Sequence, residues 1–411
     1  MKPIACVIFI VFAGVAVAVA DRLEDTSYVP YEHKTIQYFE TPTDEAVKRL
    51  DDSIDQGKAK LDFQPGGLGY LPDLLKQLGL NVDSQVLVFS QTSFQATLIS
   101  PQRPRAVYFN DEIAVGFVQQ GEVMEVSSLD PKQGVIFYTL NTGRAAKPTF
   151  ARREVCLQCH QGGQTLGVPG LVVSSQYVPA GTPAEHVRGG FVTDDRTPLE
   201  NRWGGWYVSG SLTDKHRGIP IGPDPIGQSS DTKFDTSKYL SPTSDVVALL
   251  TLEHQTRMTN LIVRIGWDTR IAMAEGKLEE ARPKLDAAID DMVGYMLFVD
   301  EAPMQGPIKG VSTFSTTFPA RGPRDKQGRS LRDFDLEKRL FKYPLSYMIY
   351  TKAFDSMPDW DRDRIYQRLF NVLTGKDTDP KFARLSPDDR RNVLEILRAT
   401  KLNLPGYWKS E

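Results

Sequence analysis

The chain has 411 residues, of which 40% are hydrophobic, 10% aromatic and 25% charged. This balance fits a folded globular protein and excludes wholesale disorder, a collagen-like repeat and a polytopic membrane protein. Lys and Arg number 49 against 52 Asp and Glu, a net charge of −3, so no broad cationic surface exists for a phosphate backbone and nucleic acid is not an expected partner.

The N-terminus reads as a secretory signal peptide over residues 1–20. Lys2 supplies the charged start, Ile4 to Ala20 is apolar or small, and Ala18-Val19-Ala20 before Asp21 offers a small-residue cleavage site. The apolar run is at the short limit of the roughly 17–25 residues that span hydrocarbon, so the expectation is export to the periplasm with no stable membrane span after cleavage. Cys6 leaves with this segment.

From residue 21 to 150 the pattern is mainly β. Short helices are expected at Thr43 to Leu50 and Leu71 to Leu80. Runs rich in Val, Phe and Tyr then predict strands at Gln85–Ser90, Ala106–Asn110, Ile113–Val118, Val123–Val126 and Gly134–Leu140. Gln119-Gln120-Gly121-Glu122 can join two of them as a hairpin. The five strands suggest a small antiparallel sheet or meander.

The two remaining cysteines fall in Cys156-Leu157-Gln158-Cys159-His160. C-x-x-C-H places two thiols one helical turn apart and an imidazole directly after them. Attachment of a c-type haem needs this arrangement: two thiols to add across two vinyl groups, and a histidine to face the iron. Three other readings compete. A disulfide would close a very small loop with little entropic gain and leave His160 unexplained. A thioredoxin-like pair opens a helix, whereas Gly162-Gly163 and Gly167 break one here. A structural zinc site wants four ligands, usually from two such pairs, and no second pair is present.

Residues 162–241 are rich in glycine, proline and aromatics. Trp203, Trp206 and Tyr207 are either porphyrin neighbours or ordinary core anchors. The C-terminal part is helical, with helices expected at Asp245–Ile265, Lys284–Val299, Leu345–Phe354, Asp359–Leu373 and Pro387–Lys401, the last capped by Ser386. Gly306 to Arg332 reads as a linker whose Arg321, Arg324, Lys326, Arg329 and Arg332 could meet haem propionates or an acidic redox partner, or lie in solvent.

With its export signal and pentapeptide, the chain resembles c-type cytochromes, more specifically the large exported bacterial single-haem proteins with a cytochrome c domain. It departs from small class I cytochromes c, whose motif lies near the start of the domain with a methionine ligand within a few tens of residues. Here the first methionine after the motif is Met258. The resemblance implies one covalent haem c with its iron, held by Cys156, Cys159 and His160, and a redox partner protein. The expected architecture is α+β: signal peptide 1–20, mainly β region 21–150, haem-binding region 151–305 and helical region 306–411.

The sixth iron ligand separates electron transfer from small-molecule binding. Val247, Leu250, His254, Met258, Leu261 and Ile265 recur at helical spacing on one stripe. His254 is therefore the leading candidate, followed by Met258, then His216, His186, His33 or an open position. The alternative for His254 is a hydrogen-bonded core histidine. Electron transfer by Fe(III)/Fe(II) cycling is the default function. A peroxidase-like haem enzyme, a gas or redox sensor, and the haem subunit of a larger dehydrogenase are the alternatives. Glu253, a conceivable acid or base, reads more readily as a helix-surface residue.

Overall fold

The computed structural model describes residues 27–176, 190–222 and 234–409. The expected signal peptide and His186 lie outside them. Short apolar runs separated by turn residues form a six-stranded antiparallel meander in the order β1-β2-β3-β4-β5-β6. Its strands are β1 Val86–Val88, β2 Arg105–Phe109, β3 Ile113–Phe117, β4 Val123–Asp130, β5 Gly134–Asn141 and β6 Phe150–Arg152. Five match the expected runs; β6 is too short and too polar to announce itself.

The hairpin through Gln120 joins β3 to β4, and β4 pairs with β5 from Val123↔Asn141 to Asp130↔Gly134. Both faces of β5 are covered. Because successive side chains alternate, Tyr138 donates to Glu45 Oε1 on one face (2.6 Å), while Phe137 on the other lies 4.7 Å from the His160 ring. Glu45 caps helix α1, Ala46–Asp55; α2 is Leu71–Gln77. The C-x-x-C-H turn follows β6 directly, as a 3₁₀ turn Glu154–Cys156 running into the one-turn helix α3, Leu157–His160.

Helix α4, Val246–Ala274, is about 43 Å long at 1.5 Å per residue and buried nearly all round. The expected single stripe understates this: its polar residues are also inside, each requiring a partner. Asp245 caps its N-terminus by accepting from Val247 and Ala248. The helix continues past Ile265 because Trp267, Thr269 and Ala272 are also buried.

Helix α5, Leu278–Met296, packs along α4. It starts before the expected Lys284, with Pro283 exposed in its early turns. There the carbonyl freed by the missing N–H meets water. The supposed linker is a packed segment containing α6, Phe314–Ala320, with Phe314 and Phe318 fully buried. Expected helix Leu345–Phe354 is split. Ser346 caps a 3₁₀ turn Tyr347–Tyr350, and Thr351 caps α7, Lys352–Asp355. Helices α8, Asp359–Leu373, and α9, Pro387–Thr400, follow expectation, α9 with Ser386 and Asp389 in a capping box. One apolar core runs from Val29 to Trp408, across all three expected regions. The class is α+β. Among the described residues no helix is long and apolar enough to cross a membrane.

Candidate haem-attachment site

Leu157 is buried and anchors the motif turn, while Val155 beside it is 52% exposed. The spacing of three brings Cys156 and Cys159 to one side of the turn, half-buried and exposed respectively, both as free thiols. Burial pushes the Cys156 thiol up to about 11, with the Glu125 carboxylate adding to the effect. A reactive C-x-x-C pair needs the opposite shift, so this environment disfavours the thioredoxin-like reading.

His160 faces inward from the last position of α3. Its Nδ1–H donates to the Gly170 carbonyl at 2.9 Å, and the Gly170 N–H returns a bond to the His160 carbonyl at 2.9 Å. Among the described residues the imidazole makes no other hydrogen bond. The tautomer assigned by this bond leaves the Nε2 lone pair without a hydrogen-bond partner among the described residues and so open to a ligand. Burial lowers the His160 pKa, which keeps the ring neutral as ligation requires.

Glu125 on β4 sits close enough to influence both Cys156 and His160. Burial pushes its carboxyl up, but Arg105 at 2.8 Å with Ser93 and Gln95 outweighs this and holds it down. Phe94, next to Ser93, is 60% exposed.

No set of three or more His, Cys, Asp or Glu side chains among the described residues converges to hold a metal ion directly. The thiols and imidazole are therefore not preassembled as a tetrahedral site. A c-type haem does not ask them to be, since the sulfurs bond to carbon and only the imidazole faces iron. On these observations the residues fit the group.

His254 lies elsewhere. Its Nδ1–H donates to Asp195 Oδ2 at 3.1 Å, and its Nε2 accepts from the Ser346 hydroxyl at 2.8 Å. Its ring stacks on Phe298 and Tyr295, with centroids 4.5 and 5.3 Å away. Both nitrogens are hydrogen-bonded, the arrangement of the alternative in which His254 is a satisfied core histidine rather than an iron ligand. The Ser346–His254–Asp195 chain has the order of a nucleophile relay, but all three are buried and Ser346 caps the Tyr347–Tyr350 turn.

Glu253, expected on the helix surface, is fully buried and bonded to Arg202 at 2.9 Å. Met258 is likewise fully buried. His33 Nδ1 accepts from Thr35 N–H, and its Nε2 faces Glu275 at 3.5 Å. His216 packs edge-on against Trp203.

The aromatic run serves the core. Trp206 Nε1 donates to the Ser174 carbonyl, and the Tyr207 hydroxyl donates to the Pro101 carbonyl. The arginines near residue 330 are occupied internally. Arg332 pairs with Asp111 and lies over the Phe318 and Tyr347 rings; Arg324 pairs with Asp333, and Arg329 with Asp325 and Glu395.

The residues that sequence reasoning missed are Phe137, Gly170 and Asn260. Pro169-Gly170 signals a turn, but nothing local points to the partner that the turn meets on α4. Comparison with protein-family models, with curated proteins and with solved structures finds no match to this chain.

Proposed function

We propose that the chain is an exported, single-haem c-type cytochrome that transfers electrons to or from a redox partner protein. The observation that carries this reading is the His160 Nδ1–H bond to Gly170, which leaves Nε2 open to a ligand, next in sequence to the free thiols of Cys156 and Cys159. Cys156 and Cys159 would hold the porphyrin, each S–H adding across a vinyl C=C to form one C–S and one C–H bond. His160 would face the iron. When bound, the group supplies reversible one-electron Fe(III)/Fe(II) exchange.

This chain's own residues then have three tasks. The Gly170 carbonyl orients the imidazole, Phe137 packs against it and keeps water from that side, and Glu125 with Arg105 sets the charge near it. None of these tasks needs a proton donor or acceptor to turn over.

A second reading, an accessible sixth position that binds small molecules, is favoured by one observation: both His254 nitrogens are already bonded. A carbon monoxide titration of the reduced protein separates the two. An unchanged visible spectrum supports electron transfer, and a shifted one supports the accessible site.

The attachment test uses expression with haem-maturation machinery. The product should keep its haem colour on a denaturing gel, and Cys156→Ala with Cys159→Ala should abolish that colour. A colourless wild-type band overturns the proposal, as does colour that survives the double substitution.

A further inference from the structure

The peptide linking Gly170 to Leu171 carries the carbonyl that receives the His160 proton. In a trans peptide the C=O and N–H of one unit point in opposite directions and share a rigid plane. Fixing the Leu171 N–H therefore fixes the aim of the Gly170 C=O.

Asn260, on α4 and 2% exposed, does this. Its Oδ1 accepts from Leu171 N–H at 3.0 Å, and its Nδ2 donates to the Leu171 carbonyl at 2.8 Å. The preceding unit is tied to the sheet, because Val135 N–H donates to the Pro169 carbonyl at 3.3 Å. The segment 169–171 is thus stitched between β5 and α4. Gly170 is required by the close approach: a Cβ there would lie 2.2 Å from Asn260 Oδ1. The chain of bonds Asn260 Oδ1···H–N–C=O···H–Nδ1 is continuous, and each bond polarises the next.

We infer that Asn260 is a positioning residue that acts through the Gly170–Leu171 peptide to orient and tune His160 toward its iron. The inference deepens the haem reading and rests on it. Asn260 touches neither thiol nor the ligating nitrogen. Its effect runs through the strength of the Nδ1–H bond, which sets how much electron density the imidazole donates and thereby the reduction potential.

The test compares holoprotein carrying Asn260→Leu, which removes both bonds, with Asn260→Asp, which keeps the acceptor for Leu171 N–H. Exchange of the His160 Nδ1 proton is followed by NMR in the reduced state, and the midpoint potential by spectroelectrochemistry. Weakening the protection of the Nδ1–H by about the worth of one net hydrogen bond, once the peptide is released, corresponds to roughly fivefold faster exchange. The Leu variant should show this acceleration and a raised potential, and the Asp variant should retain wild-type proton protection.

Equal exchange rates and potentials in wild type and Leu variant, with haem attached in both, would overturn the inference while leaving the functional reading intact. Absence of covalent haem in the wild type would instead overturn the functional reading. Should the Leu variant fail to fold, Asn260→Ala removes the same bonds without added bulk and is read by the same criteria.

Discussion

Replacing His254 by alanine distinguishes a core histidine from an iron ligand, and its cost follows from the contacts. The imidazole is fully buried and stacked on Phe298 and Tyr295. It is also the sole hydrogen-bond partner of the Asp195 carboxylate among the described residues. Truncating a buried aromatic ring costs about 3–5 kcal/mol through lost packing and the cavity left behind. Stranding a buried carboxylate carries a penalty of similar size, and the two overlap because water entering the cavity can solvate Asp195. A net loss of about 4 kcal/mol is expected, a large share of the roughly 5–15 kcal/mol that holds a domain folded. The assay is guanidinium unfolding of the holoprotein at neutral pH, with the visible spectrum recorded in parallel. A large drop in the unfolding midpoint with an unchanged low-spin or high-spin spectrum supports the core role. Conversion from low-spin to high-spin with stability within about 1 kcal/mol of wild type would refute the reasoning and restore His254 as a ligand.

Two further outcomes test a buried carboxyl of the core and the segment behind His160. Glu301 accepts from the Leu340 N–H, and burial raises its pKa from 4.5 to about 7. The folded protein therefore holds a proton that the unfolded chain releases, so this group's contribution is complete below about pH 4.5 and is lost as pH rises through 7. Glu301→Gln removes that loss, and its stability relative to wild type should improve by about 3 kcal/mol between pH 4.5 and 8; parallel pH profiles for the two proteins would show that the carboxyl is not buried as described. Gly170→Ala forces a Cβ into Asn260 Oδ1. It should destabilise by about 1–3 kcal/mol and accelerate His160 Nδ1 proton exchange, and wild-type values for both quantities would mean the segment is looser than the contacts imply.

The sequence by itself determined most of the longer elements and singled out the C-x-x-C-H pentapeptide. Five strands, the long helix beginning at Asp245 and the Ser386-capped final helix are local signals: alternation, helical period, a cap beside a proline. Spacing alone likewise singled out Cys156, Cys159 and His160, because the pairing of two thiols with an imidazole is written in five consecutive residues.

Only the tertiary structure decided what each polar residue on α4 meets. A helical stripe identifies His254 as inward-facing, but not that Asp195 and Ser346 wait there, residues 59 and 92 positions away in the chain. The same limit hid Asn260, whose partner lies 89 positions earlier. Glu253 and Arg332 are buried rather than solvated for one reason. Burial of a charge depends on an opposite charge brought in by another element, and no periodicity within a single element encodes that.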